Sequence, residues 1–183
     1  MKRIAIFADG TWNSPERGRV TNVLRMARAV KPDDGGTKQV VFYDWGVGTD
    51  RKKLSGGISG AGIDKNIMDC YRFLVHNYDD GDQLFFFGFS RGAYTARSLA
   101  GFVRNCGLLK RKHANKIGEA FRLYRKRTRA SRSGFAAIFP SPTLRRLNSS
   151  APGIRLVRSA FPCRFGARSM SENSCFMTRS RAR

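Results

Sequence analysis

The apolar run Leu84-Phe85-Phe86-Phe87 leads straight into Gly88-Phe89-Ser90-Arg91-Gly92, and this junction constrains the fold more tightly than any other stretch of the chain. The run is short and aromatic, as a buried strand is, and Tyr94 to Val103 behind it continues at helical spacing. A serine delivered on so sharp a strand-to-helix turn needs small neighbours two residues either side, where a side chain would meet the adjoining strand or helix. Gly88 and Gly92 fill those two places. A bare G-x-S-x-G arises often by chance. Set between a buried strand and a helix, it reads as a nucleophile elbow, with the hydroxyl of Ser90 presented at the tip.

The flanking sequence supplies the sheet into which such a strand fits. Arg3 to Ala8 is apolar enough for a strand buried on both faces of a parallel sheet. Thr21 to Val30 follows as a helix with Val23, Leu24, Ala27 and Val30 inward, and Thr37 to Tyr43 is a second strand. A glycine-rich loop from Gly46 to Gly62 leads into a helix from Ile63 to Asn77, where Ile63, Ile67, Met68, Tyr71, Leu74 and Val75 recur at three- and four-residue steps. Asp79-Asp80-Gly81 turns the chain back into the elbow strand. Gly107 ends the elbow helix, and a basic amphipathic helix from about Ala114 to Arg127 comes next. Strands alternating with helices imply an α/β fold with a doubly wound, mostly parallel sheet, because parallel neighbours require right-handed crossovers.

Charge divides the chain in two. Its formal net charge is +22, but residues 1–127 hold 24 Lys and Arg against 12 acids, whereas residues 128–183 hold 11 Arg, no Lys and one acid, Glu172. The second segment also lacks Tyr, Trp, His, Gln and Asp, is rich in serine, and shows no sustained periodicity. Two readings of it stand side by side. One is a disordered basic arm whose guanidinium groups bind phosphate, which makes nucleic acid or another anion a rival partner. The other is translation out of frame, since GC-rich codons read in the wrong frame yield Arg, Ser, Pro and Ala. The division expected is 1–127 as the N-terminal part of an enzyme domain and 128–183 as a tail, so that the chain is a truncated or frameshifted form.

No segment reaches the roughly 18 to 20 continuous apolar residues of a membrane span, and the N-terminal run lapses into Asp9-Gly10 too soon for a signal peptide. The expected location is the cytoplasm, with export by a route that needs no signal peptide left open. Cys70, Cys106, Cys163 and Cys175 form no C-x-x-C pair and have no histidine at ligand spacing, so they read as reduced thiols rather than zinc ligands. No metal and no cofactor is expected.

Four segments in order resemble the DUF2235 family of α/β-hydrolases, which includes the catalytic domain of Tle1-type phospholipase effectors of type VI secretion. They are Phe7-Ala8-Asp9-Gly10-Thr11-Trp12-Asn13, Tyr43-Asp44-Trp45-Gly46-Val47-Gly48-Thr49, Gly60-Ala61-Gly62-Ile63-Asp64-Lys65-Asn66-Ile67, and Gly88 through Arg97. The likeness covers roughly residues 1–127. It implies part of an α/β-hydrolase fold and a serine esterase acting on phospholipid or another ester, with Ser90 as nucleophile and possible contact with a membrane surface. In this fold one oxyanion donor is the backbone N–H after the nucleophile, here Arg91. Gly10 and Thr11, behind the first strand, are the candidates for the second, with Asp9 holding their loop; Asp9 and Arg97 are also the candidates for binding substrate. Arg91 and Arg97 either attract an anionic head group or cover the sheet with their stems.

The family completes its triad with a later Asp and a later His, and here the chain departs from it. Beyond Ser90 the acids are Glu119 and Glu172 and the one histidine is His113, set in the basic run Lys110-Arg111-Lys112. A complete triad is therefore not expected, and the chain is read as inactive or weakly active. Two other chemistries fit less well. Asp9-Gly10-Thr11 lacks the second carboxylate of an aspartyl phosphatase loop, and the Gly56 to Gly62 loop lacks the Gly-Lys-Ser/Thr ending of a P-loop. Oligomeric state is open.

Overall fold

The structure, a computed structural model, describes residues 1–10, 20–46 and 60–126, together with the backbone of 144–145 and 155–158. Strand β1 (Arg3–Ala8) lies at the centre of the sheet, with β3 (Thr37–Asp44) on one side and β4 (Gln83–Gly88) on the other, both parallel to it. The register is level. Ala8 stands opposite both Asp44 and Gly88, so three strands end on one line. A two-residue strand, β2 (Asp33–Asp34), turns back onto β3 through Gly35 and Gly36, both at positive φ (59° and 82°), as a tight hairpin turn of this hand requires. The Asp-Asp-Gly-Gly that builds it is a plain turn signal in the sequence.

Helix α1 (Asn22–Ala29) covers one face of the sheet. Helices α2 (Gly60–Asn77), α3 (Arg91–Cys106) and α4 (Ile117–Arg125) cover the other. The alternation of strand side chains explains both cores: Ala5 and Phe7 point to Val23 and Ala27 of α1, while Ile4, Ile6, Leu84 and Phe86 point to Ile67, Leu74, Leu99 and Phe102. The doubly wound α/β arrangement expected from the alternating pattern is the one observed.

Two boundaries differ from the expectation. The second long helix begins at Gly60 rather than Ile63. The basic segment after Gly107 opens as a 3-10 helix, Arg111–Lys116, before α4, with His113 at non-helical angles (φ −111°, ψ 18°) at the kink. In front of it the short strand β5 (Leu108–Leu109) is tied to α2 through Tyr71, whose buried hydroxyl donates to Gly107 O (2.9 Å) and accepts from Leu109 N (3.2 Å). Beyond α4, β6 (Leu144–Arg145) pairs antiparallel with β5, and β7 (Arg155–Arg158) pairs parallel with β4. Both lie in the segment read as a disordered or out-of-frame tail, whose other residues fall outside those described. Among the described residues no helix is long and apolar enough to cross a membrane.

Candidate active site

Because the three parallel strands end level, the loops behind them converge. The ladder runs one residue further on each side of β1: Asp9 N donates to Asp44 O (2.8 Å), and Phe89 N donates to Ala8 O (3.1 Å). Ser90 is thereby held two residues past the end of β4 and immediately before α3, where it is exposed. Its backbone sits at φ 53°, ψ −121°, and it is the one non-glycine residue with positive φ among those described. An L-residue in this region costs about 1 to 3 kcal/mol, and the surroundings must impose it.

What imposes it is contact too close for any side chain. A Cβ on Gly92 would lie 2.0 Å from Ala8 O and 2.5 Å from Asp9 O, and one on Gly88 would lie 2.5 Å from Gly92 O. The elbow helix thus presses its first turn directly on the end of β1. Gly92 N and Ala93 N donate back to Phe89 O (2.9 Å) and Ser90 O (3.1 Å), which closes the turn. Arg91 occupies the first helical position, where an amide has no intrahelical acceptor, and it stands at the positive end of a 16-residue helix. Ser90→Gly is expected to raise stability by about 1 kcal/mol, since relief of strain exceeds the extra freedom glycine gives the unfolded chain. Chemical denaturation of the two proteins measures the difference.

The loop behind β1 is anchored by Asp9, whose side chain is buried. Its Oδ1 accepts from Gly10 N (2.7 Å), and its Oδ2 accepts from Tyr43 OH (2.8 Å) and from the Thr21 hydroxyl. Thr21 also caps α1, accepting from Leu24 N (3.1 Å), so one carboxylate joins β1, β3 and the start of α1. Burial, then the hydrogen bond to Asp9, pushes the Tyr43 phenol well above its ordinary range, so it stays a protonated donor. Asp9 thus ties its own loop to β3 and α1, and it takes up the Gly10 N–H. Of the two candidate oxyanion donors on this loop, Gly10 is thus already engaged, and Thr11 lies outside the described residues.

The third loop carries Asp44, Trp45 and Gly46. Gly46 N donates to Asp44 Oδ1 (3.2 Å), and Gly46 adopts φ 83° with its backbone against Gly10: a Cβ there would lie 1.9 Å from Gly10 O. Burial raises the Asp44 carboxyl above the usual carboxylate range. Its Oδ2 and the Asn66 Nδ2 of α2 are buried without a hydrogen-bond partner among the described residues. Asn66 and Tyr43 fall within the segments that carry the family resemblance, but no motif assigns either a role; their position at the strand ends gives them a part here. Among the described residues no three His, Cys, Asp or Glu gather as a metal site would require.

Both histidines of the chain lie at the far end of the sheet. His76 is exposed in the last turn of α2, and His113 follows Arg111, which pairs with Asp79 (3.3 Å), itself bound to Lys2 at the start of β1. A six-residue strand separates that end from Ser90, roughly 20 Å. Desolvation, with Lys112, Lys116 and Lys110 nearby, holds the His113 imidazole below its ordinary range. Arg97 is exposed on α3, and Arg91 is half-buried.

A family model for the catalytic domain of Tle1-like phospholipase effectors of type VI secretion (T6SS) matches residues 2–147. The chain belongs to this family. The match includes the strand ends and the elbow described above, and it runs past residue 127, where the resemblance read from sequence stops. The uncharacterized protein YEL023C of Saccharomyces cerevisiae is 28% identical over 141 residues, which make up 68% of this chain and 20% of that protein. The chain therefore spans about a fifth of the length of the curated relative it matches. No solved structure matches it.

Proposed function

We propose that this Tle1-like domain carries the nucleophile half of a serine esterase site acting on phospholipid or a related ester, with Ser90 as the attacking group. The strained backbone of Ser90 supports the reading most directly, because 1 to 3 kcal/mol of strain serves no packing purpose at an exposed serine, whereas it lifts a hydroxyl clear of the strand ends. Attack by Ser90 Oγ on an acyl carbonyl would place the developing oxyanion against the Arg91 N–H at the helix terminus, with Thr11 as the second donor. Asp9 is then a positioning residue for the Thr11 loop rather than an acid or base.

A serine hydroxyl needs an imidazole to take its proton, and neither histidine of the chain is within reach. The chain by itself is accordingly proposed to acylate slowly. The reading of the Arg-rich segment as a nucleic-acid arm has no supporting observation among the described residues. Incubation with a fluorophosphonate, followed by intact-mass and peptide mapping, tests the assignment. With imidazole added to supply the base, a single adduct on Ser90, absent from Ser90→Ala, is expected; an adduct elsewhere, or none after prolonged exposure with imidazole present, would overturn it.

A further inference from the structure

The loop behind β3 and the first turn of the elbow helix bear on the same carbonyl group. A Cβ on Gly46 would lie 1.9 Å from Gly10 O and 2.8 Å from Asp9 O, and one on Gly92 would lie 2.5 Å from that same Asp9 O. Neither contact leaves room for a side chain. Close-packed backbone passes a displacement on rather than absorbing it, so whatever fixes Gly46 also fixes the surface on which α3 rests.

Asp44 is what fixes Gly46. Its carbonyl accepts from Asp9 N (2.8 Å) and its Oδ1 accepts from Gly46 N (3.2 Å), so one residue ties the loop to β1 and also bends it. The bend takes Gly46 to φ 83°, a conformation open to glycine that the carboxylate's bond to the amide two residues on selects. Alternation along β3 sets the direction of the side chain: Tyr43 faces Asp9 and the α1 side, and half-buried Asp44 faces α2, where Asn66, Asp69 and Lys65 act on its carboxyl. A residue that served to hold α2 would engage Asn66. Instead Asp44 Oδ2 and Asn66 Nδ2 have no hydrogen-bond partner among the described residues, and the engaged oxygen is the one turned to Gly46.

We infer that Asp44 is a positioning residue for Ser90: by holding Gly46 against Gly10 and Asp9 it backs the carbonyl on which Gly92 rests, and so maintains the strained turn that presents the hydroxyl and the Arg91 N–H. Its effect on acylation deepens the esterase reading and rests on it, while the mechanical link from Asp44 to the elbow requires no chemistry. The link needs an acceptor at Oδ1, which asparagine supplies and alanine does not.

Saturation kinetics of fluorophosphonate capture by the full chain, with imidazole present, test the first part. Asp44→Ala is expected to lower the maximal capture rate about tenfold with the half-saturating concentration within about twofold, since a displaced hydroxyl reacts slowly although the reagent still binds. Asp44→Asn is expected to restore the rate to within about twofold. Asp44→Leu, which also lacks the acceptor, takes the place of alanine if that variant does not fold.

The second measurement needs no acylation. Ser90→Gly is expected to raise the urea midpoint of the parent chain and to lose that gain in the Asp44→Ala background, where the elbow is free to relax. Equal capture by the parent and Asp44→Ala, an Asp44→Asn chain as slow as Asp44→Ala, or the same midpoint shift in both backgrounds would overturn the inference. Loss of the Ser90→Gly gain in Asp44→Ala, without capture at Ser90 in any form, would sink the esterase reading and leave the link from Asp44 to the elbow standing.

Discussion

Hydrolysis of a short-chain p-nitrophenyl ester by the isolated chain is expected to run at least about 10³-fold below that of a complete triad enzyme, and to rise in a Ser90-dependent manner when imidazole is added. The argument is geometric. Nucleophilic serine catalysis divides between a presented hydroxyl, a base that receives its proton, and donors that meet the oxyanion. Ser90 and Arg91 N–H supply the first and part of the third at one end of the sheet, while His76 and His113 lie at the other. Glu119 is no substitute, since it opens α4 at that same distant end. Free imidazole can diffuse to the exposed Ser90 and take the proton. The Ser90→Ala variant measures the background reaction of imidazole itself, and the difference between the two proteins is the quantity predicted. Turnover at ordinary enzyme rates without imidazole would show that another group of the chain serves as base.

Gly92→Ala is expected to destabilise the protein by at least about 3 kcal/mol, and Gly88→Ala by a similar or smaller amount. At Gly92 the new methyl would lie 2.0 Å from Ala8 O and 2.4 Å from Ala8 C, both backbone atoms of the central strand, which is paired on both sides and cannot retreat. At Gly88 it would meet the backbone of Gly92 and Ala93, in the first turn of α3, at 2.5 to 2.7 Å, a somewhat longer approach than at Gly92. Gly118, with open space around its Cβ position, is the control: alanine there is expected to be neutral or mildly stabilising, as in any exposed helix position. Urea denaturation of the three variants ranks them directly. A native-like midpoint for Gly92→Ala would mean that the elbow does not press on β1 and that the site geometry described above is wrong.

The elements most legible in the sequence were those whose signal is local. The apolar strand Arg3–Ala8, the amphipathic α2 and the strand–G-x-S-x-G–helix junction could be read from periodicity and glycine spacing alone, because each depends on residues within a few positions of one another. The start of α2 at Gly60 was placed late because glycines there suggest loop, and the 3-10 opening of Arg111–Lys116 was missed because basic residues carry no periodic signal that separates the two helix types. Of the proposed site, Ser90, Asp9 and the elbow glycines were named from motif spacing alone. Gly10 was taken for an oxyanion donor because its position behind β1 is right, and only the Asp9 carboxylate 2.7 Å away shows that its N–H is engaged.

By itself the sequence determined that a serine would be carried between a buried strand and a helix, that its neighbours had to be glycine, and that the two histidines were few and set in unpromising surroundings. What tertiary structure alone decided is which strand ends meet. The level register of β3, β1 and β4 brings Asp44, Asp9 and Ser90 together from positions 9, 44 and 90, and the same crossovers send His76 and His113 to the opposite end. The physical reason is that register and handedness arise from the pairing of distant strands and from right-handed connections between them, and neither is encoded at any single stretch of chain.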